Sequence, residues 1–545
     1  MKILTYVSAA TVLCILWAII PTNAADNALD VPGDANTSLG NASNGTLRIG
    51  ISQVYDRAGF FPPGTGRQWG VAIRGLVTEP LVQHGSDLEV LPALAEKWEM
   101  KDECKTWVFY LNENASWHDG KPVTSEDVKF TNEFIRKTDS RYEEFMQEYL
   151  DEIETPDEHT VIFHMKKPFS PFLTWYTLGG QEIIPEHIWK DISPEKAGES
   201  EDMTGFGQFI FEKLDKDRNV IMFKANNAYF SERPKIARVE IHMFRTEDSM
   251  LLALKKGDID MVSKIKGTSV PSLLREEDIK TVLTPSLSMK NIWFNMRNYP
   301  INITEVRQAM AYCIDYDQLA QISISDYGEA GGYGPDISSD MWWFNPDATR
   351  YSRNVSRANE LLNSTGFIDT DKDGIRELPD GSDLAINLYV PGPDASYMRE
   401  AELMNNWMKD AGIKIEIKGV DFPVWTEEFL NKHTFDTLLT TVSLLDSPYK
   451  SAYVDLIYCD IPGYKNNTDF CELVDSLLGA TTREEQKEIS FEIQEMLARD
   501  VPGVTLYSGD TIDAYRSDKF SGFVPVAGDG IANRLSVSSV RQMAS

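Results

Sequence analysis

The chain has 545 residues, too many for one hydrophobic core, so two or three lobes are expected. Lys+Arg 53 against Asp+Glu 84 gives a formal charge of -31, which repels phosphate backbones and anionic headgroups and excludes nucleic acid as a natural partner. A hydrophobic content of 42% with 26 Pro and 35 Gly is that of a globular chain, not a disordered one.

Lys2 precedes an apolar run over 3–20, and Pro21-Thr22-Asn23-Ala24-Ala25 follows with small residues suited to signal-peptidase cleavage after Ala24. The run is also about long enough to span a bilayer, so 1–24 is expected to be a signal peptide or an uncleaved anchor. Either way the chain is exported, to the cell surface or periplasm. Residues 25–45, rich in Asn, Asp, Ser, Gly and Ala without periodicity, read as a flexible leader. Eight N-x-S/T sequons begin at Asn36, Asn41, Asn44, Asn114, Asn302, Asn354, Asn363 and Asn466, as glycan acceptors or as chance in an Asn-rich chain.

Further along, Trp107, Phe109 and Leu111 alternate with Thr106, Val108 and Tyr110, the period of a strand with one face on a core. Asp119-Gly120 turns the chain. Val123, Thr124, Asp127 and Val128 then predict a staple and a capping box at a helix start. Thr246 predicts a helix that Gly257 stops, Thr304 one through Val306, and Asn354 or Ser356 one that ends at Gly366. Thr482 with Glu485 forms a capping box before the stripe Ile489, Ile493, Met496 and Leu497. Short apolar strands at 384–390 and 413–417 alternate with these helices, which is an α/β pattern.

From Asp369 the sequence DTDKDGIRELPD offers oxygens from Asp369, Asp371, Asp373, the Ile375 carbonyl, Glu377 and Asp380, with Gly374 at the turn. Two readings stand: a loop wrapping a structural calcium ion, or an Asp-rich turn closed by its own Asx hydrogen bonds. Pro379 forbids the exiting helix of an EF-hand, so this is an isolated loop. No other cofactor is expected. Cys459 and Cys471 bracket a Pro, Gly and Asn-rich loop and are expected to form a disulfide. Cys313 reads as a buried thiol, and Cys104 sits in a polar turn. There is no G-x-S-x-G, H-E-x-x-H or C-x-x-C motif, and the seven histidines do not cluster, so an enzyme is not expected.

The string WHDGKPVTSEDVKF (117–130) resembles the signature of the family 5 extracellular solute-binding proteins, the oligopeptide, dipeptide and nickel receptors of ABC importers. Collinear blocks extend the resemblance: EPLVQ with LEVLPALAEKW (79–98), IIPEHIW (183–189), LLALKKGDIDMV (251–262), VRQAMAYCIDYDQL (306–319), TDKDGIRE (370–377) and ISFEIQEMLARDVPGVTLY (489–507). The resemblance implies a bilobed α/β fold of the type II periplasmic-binding-protein kind. Lobe I would hold 46–75, 204–290 and 500–545, an inserted domain 76–203, and lobe II 291–499, with chain crossings near 290 and 499 as a two-strand hinge.

It also implies a monomeric receptor that closes over a small solute, a di- or oligopeptide, and delivers it to the membrane permease of an ABC importer. A nickel chelate or sugar is the alternative solute. Peptide receptors of this family are similar in an FD strand that leads to a tryptophan and then to an aspartate pairing with the peptide amino terminus. Here Phe435-Asp436 leads to Asp446 near the expected aspartate, but Val442 stands near the place of the tryptophan. Trp425, Tyr449, Tyr55, Phe60, Phe61 and Trp69 are the candidate cleft aromatics, each equally fit for a core. The dipeptide branch carries a close cysteine pair similar to Cys459 and Cys471.

Overall fold

In a computed structural model, residues 43–55, 68–135, 137, 147–175, 182–392, 394–421, 423–424, 427, 432, 434–443, 447–449 and 467–543 are described. They belong to one compact unit, Ala42–Ser545.

Its frame is a mixed sheet. From one edge the strands run Lys414–Val420, Ala385–Pro391, Thr437–Val442, Ile279–Phe294, Gly503–Arg516, Met261–Val262, Ser43–Ile51, Ile236–Met243, Val220–Ala225 and Phe209–Asp215, with Gly328–Ala330 added beside Gly503–Arg516. Parallel pairs occur toward both ends, Ala385–Pro391 with Lys414–Val420 and Ser43–Ile51 with Ile236–Met243. The two long strands at the centre are antiparallel, and they belong to both halves of the sheet at once.

Each half has its own core. Ile292, Phe294, Met310, Leu362, Leu388 and Met404 pack beneath the helices Thr304–Cys313, Val355–Ser364 and Ala395–Lys409. Leu47, Ile49, Phe223, Val239 and Ile241 build the other. Between Pro80 and Phe206 the chain makes a separate antiparallel sheet, Ala95–Lys101, Thr106–Leu111, Thr160–Met165 and Leu150–Asp157, backed by helix Ser125–Ile135. Its aromatic core, Phe109, Phe163, Phe169 and Phe172, is continuous with Trp293, Leu438, Tyr449 and Phe470. Ser170 seals that contact by donating to the Leu478 carbonyl from its N–H at 2.8 Å.

The local signals explain most helix ends. Thr246 Oγ1 accepts the Ser249 N–H, and Gly257 ends that helix at φ +76°. Asn354 caps Val355–Ser364, and Thr482 and Glu485 complete a reciprocal capping box. Two expectations shift. Thr304 is the first residue inside its helix and Ile303 precedes it without a side-chain cap. At Ser125–Ile135 only the reach-back half of the box forms: Asp127 Oδ2 accepts the Thr124 N–H at 2.9 Å, while the Asp127 N–H goes to the Thr124 carbonyl. Cys104 and Cys313 are buried thiols in different cores, which excludes a bridge between them.

Candidate functional site

The signature segment acts as a clamp. Trp117 is buried edge-on against Phe206 with ring centroids 4.9 Å apart, and its Nε1–H donates to Asp127 Oδ2 at 3.3 Å. Asp127 Oδ1 accepts the Glu186 N–H at 3.0 Å, so one carboxylate ties the Trp117 turn, the helix start and Glu186 together. His118 Nδ1 accepts the Gly205 N–H at 3.3 Å and Nε2 faces the Gly207 carbonyl at 3.2 Å. Burial pushes its pKa down to about 4, which keeps it neutral. Glycine is required opposite it, because a Cβ on Gly205 would stand 1.7 Å from the Val77 carbonyl oxygen.

Where the two halves of the main sheet meet, the ladder between the long strands breaks register. Pro285 pairs with Asp510 and Met289 with Ser508, and between them Leu287 takes φ +53°. That conformation costs a branched residue energy, of order 1–2 kcal/mol. Burial offsets it, since Leu287 packs on Leu88 beside Ala527.

Beyond the break the strand alternates. On one face Met289, Asn291 and Trp293 lie opposite Val442, Thr440 and Leu438. Asn291 Nδ2 donates to Asp336 Oδ1 at 2.6 Å, the Asp336 N–H returns to Asn291 Oδ1 at 3.2 Å, and Thr505 Oγ1 donates to the same oxygen at 3.1 Å. Asp336 is fully buried at φ +58°, and desolvation raises its pKa well above the carboxylate range. Met341 and Trp343 cover Met289 and Val442. The Trp343 Nε1–H is buried and has no hydrogen-bond partner among the described residues.

On the other face Lys290 lies 3.2 Å from Glu400, which also accepts the Tyr507 hydroxyl at 2.7 Å, and the Lys290 ammonium sits 3.0 Å from the Tyr397 ring centroid. Sequence reasoning passed over Asn291, Asp336, Lys290 and Glu400. The available signal was the Lys-Asn pair inside the apolar run 289–294.

The expected cleft residues are placed unevenly. Asp446, Trp425 and Phe60, with Phe61, lie outside the described residues, and Trp69 falls in helix Gln68–Val77 without a described side chain. Tyr55 is buried in the core of strands Ser43–Ile51 and Ile236–Met243. Tyr449 is buried in a different core, edge-on to Phe169 at 5.5 Å. The two tyrosines are therefore not brought together. Asp436 of the FD pair turns to the protein itself, accepting from the Asn387 N–H at 3.0 Å and Nδ2 at 2.8 Å and from Asn298 Nδ2 at 3.1 Å. The Cys459 end of the expected disulfide lies outside the described residues.

In the acidic loop, Asp369, Asp371 and Asp373 converge, each offering an oxygen within 4.8 Å of the others. Asp369 accepts the Lys372 and Gly374 N–H groups, Asp373 accepts the Ile375 N–H, and Glu377 accepts the Thr370 N–H at 2.8 Å. Asp380 turns away to Ser382. Buried Arg376 anchors the loop, donating to the Ala411 carbonyl at 2.8 Å and to Asn363 Oδ1 at 2.8 Å.

A family model described as bacterial extracellular solute-binding proteins, family 5, middle, matches residues 89–460, more than half of the chain. The chain is a family 5 extracellular solute-binding protein. Among its relatives is the probable D,D-dipeptide-binding periplasmic protein DdpA of Escherichia coli (strain K12), 29% identical over 285 residues, 51% of this chain and 54% of that one. The chain thus spans about half the length of the curated relatives it matches first.

The fold is that of solved receptors of this family. An oligopeptide ABC transporter periplasmic oligopeptide-binding protein from Thermotoga maritima superposes with TM-score 0.80 at 22% identity, covering 92% of this chain and 99% of that one. NikZ from Campylobacter jejuni, solved in complex with Ni(L-His), gives TM-score 0.74 at 19% identity, covering 91% and 99%. Among the described residues of this family 5 protein, no helix is long and apolar enough to cross a membrane.

Proposed function

We propose that the protein is a receptor that captures a di- or oligopeptide outside the cytoplasm, between two lobes, and passes it to the permease of an ABC importer. One structural observation carries the closing motion: the strands Ile279–Phe294 and Gly503–Arg516 are shared by both halves of the sheet and break register together at 285–289 against 508–510. A pair of strands with a built-in irregularity is a place where two lobes rotate without losing their ladders on either side. Lobe I is 46–75, 204–290 and 500–545, the inserted domain 76–203 and lobe II 291–499, with the second crossing running inside Gly503–Arg516 rather than near 499. Residues 1–24 direct export, as signal peptide or anchor, and the leader expected over 25–45 stops short of 43, because Ser43–Ile51 is already a strand of the main sheet.

The peptide reading is supported by the E. coli relative named for D,D-dipeptides and by the T. maritima oligopeptide receptor. Asp446 follows strand Thr437–Val442, whose last residue pairs with Met289 at the register break. An ionised aspartate is the charge partner that a peptide ammonium calls for. Charge-assisted hydrogen bonds contribute about 1.5–3 kcal/mol, so Asp446→Asn should weaken peptide binding roughly ten- to more than a hundredfold. Calorimetry with a peptide mixture tests this: unchanged affinity removes Asp446 from the site, and no binding by ligand-stripped protein removes peptides.

Val442, standing near the place of the tryptophan in peptide receptors, favours a second reading, a compact non-peptide solute such as the nickel chelate held by NikZ. Native mass spectrometry of the purified protein separates the two by the mass that co-purifies. Two structural features complete the proposal. Cys459 and Cys471 form a disulfide, testable by non-reducing peptide mapping, and the 369–380 loop takes a calcium ion.

A further inference from the structure

Many of the described asparagines use their carboxamide nitrogen inside the protein. Asn132, Asn226, Asn295, Asn387 and Asn533 each donate Nδ2 into the protein, to backbone carbonyls or to Asp436. Neither these nor the other asparagines whose Nδ2 is a donor, Asn291 and Asn298 among them, stand in an N-x-S/T sequence. The sequon asparagines whose side chains are described, Asn114, Asn302, Asn354 and Asn363, are all exposed, and none of them donates Nδ2 to a described residue.

At two of them the oxygen alone is used. Asn354 Oδ1 accepts the Arg357 N–H at 3.0 Å as a helix cap, and Asn363 Oδ1 accepts Arg376 Nη1 at 2.8 Å. Three of the four lie around one helix pair. The Asn354 N–H donates to the Tyr312 carbonyl at one end, and the Tyr299 and Phe367 rings meet 6.3 Å apart at the other, so Thr304–Cys313 and Val355–Ser364 run antiparallel. Asn302 and Asn363 thus stand at one end of the pair and Asn354 at the other.

We propose that Asn302, Asn354 and Asn363, on the outer helical layer of lobe II, and Asn114, on the inserted domain, are acceptors for N-linked oligosaccharide. The donor is a saccharide on a polyisoprenyl phosphate carrier, met during or after export. The saccharide C1–O bond to the carrier phosphate breaks, a bond from C1 to Nδ2 forms, one Nδ2 proton passes to a base of the transferase, and the lipid phosphate leaves. Substitution on nitrogen leaves Oδ1 an acceptor, so the cap at Asn354 and the Arg376 anchor at Asn363 survive modification. The register-break face of the same lobe, with Met289 and Val442, carries no described sequon and stays bare.

The test uses full-length protein purified from the cells that naturally produce it, digested and measured by mass spectrometry. The peptides bearing Asn114, Asn302, Asn354 and Asn363 are expected to carry a common saccharide mass. Finding all the sequon peptides at their unmodified masses overturns the proposal. Ser356→Ala removes the hydroxyl two residues after Asn354 while leaving its cap untouched. It should abolish the saccharide at Asn354 alone, with folding unchanged by circular dichroism. Retention of the saccharide there overturns sequon-directed transfer.

Discussion

Lys290 and Glu400 form a buried ion pair at 3.2 Å, between the two register shifts of the central ladder at 285–289 and 290–291, with side chains 5% and 1% exposed. The pair lies between strand Ile279–Phe294 and helix Ala395–Lys409, and Tyr507 from the second long strand donates to it. Breaking one partner of such a pair leaves an uncompensated charge and costs about 3–5 kcal/mol. Glu400→Gln, which still accepts from Tyr507, should therefore lose about that much in urea denaturation. The double variant Lys290→Met, Glu400→Gln should recover most of it. A double variant as unstable as the single would show that packing, not charge, is what the pair supplies.

Asp127 supports a second prediction. Its carboxylate accepts from Trp117 Nε1 and from the Thr124 and Glu186 N–H groups. Asp127→Ala would leave those donors unmet in a buried setting, at about 1–3 kcal/mol for each fully buried one. An overall loss of roughly 2–4 kcal/mol is expected, with Asp127→Asn intermediate. A loss under 1 kcal/mol would mean that water replaces the carboxylate.

These cases mark what was legible in the sequence. Caps at Thr246, Asn354 and Thr482 were readable because each is closed by a residue three positions away. The shift at Thr304 has the same origin, since a threonine inside the first turn looks like a cap from composition alone. The convergence of Asp369, Asp371 and Asp373 is equally local. The register break was not legible. Leu287 at φ +53° is set by partners at 508–510 and by Leu88, far away in the chain. The Asn291–Asp336 pair spans 45 residues and the Asn291–Thr505 bond 214, and no periodicity encodes either.

The titration of His118 gives a pH prediction. Its folded pKa lies at about 4 against about 6.5 in the unfolded chain, so the unfolded state takes up the proton first. The stability it contributes is complete above pH 6.5 and is lost as pH falls from there through 4, by roughly 3 kcal/mol at the limit. His118→Gln can still donate to Gly207 and accept from Gly205 but does not titrate. Its urea midpoint should fall less than that of the parent between pH 6.5 and 4. Parallel pH profiles would show that His118 is hydrated enough to protonate without penalty.

The acidic loop tests whether convergence of carboxylates means an ion. Asp369, Asp371 and Asp373 repel one another at neutral pH, and the N–H groups of Lys372, Gly374 and Ile375 that they accept offset only part of this. A divalent cation would neutralise the cluster and leave Arg376 to transmit the gain to Ala411 and to the end of helix Val355–Ser364. A ligand that binds only the folded state at a hundred times its Kd adds about 2.7 kcal/mol. Chelation of calcium-loaded protein should therefore lower Tm by several degrees, and Asp371→Asn should reduce that shift without unfolding the loop, because Asn retains the acceptor for the Asp373 N–H. Equal melting with calcium and with chelator, together with no calcium in elemental analysis, would leave the Asx turns as the whole purpose of the sequence.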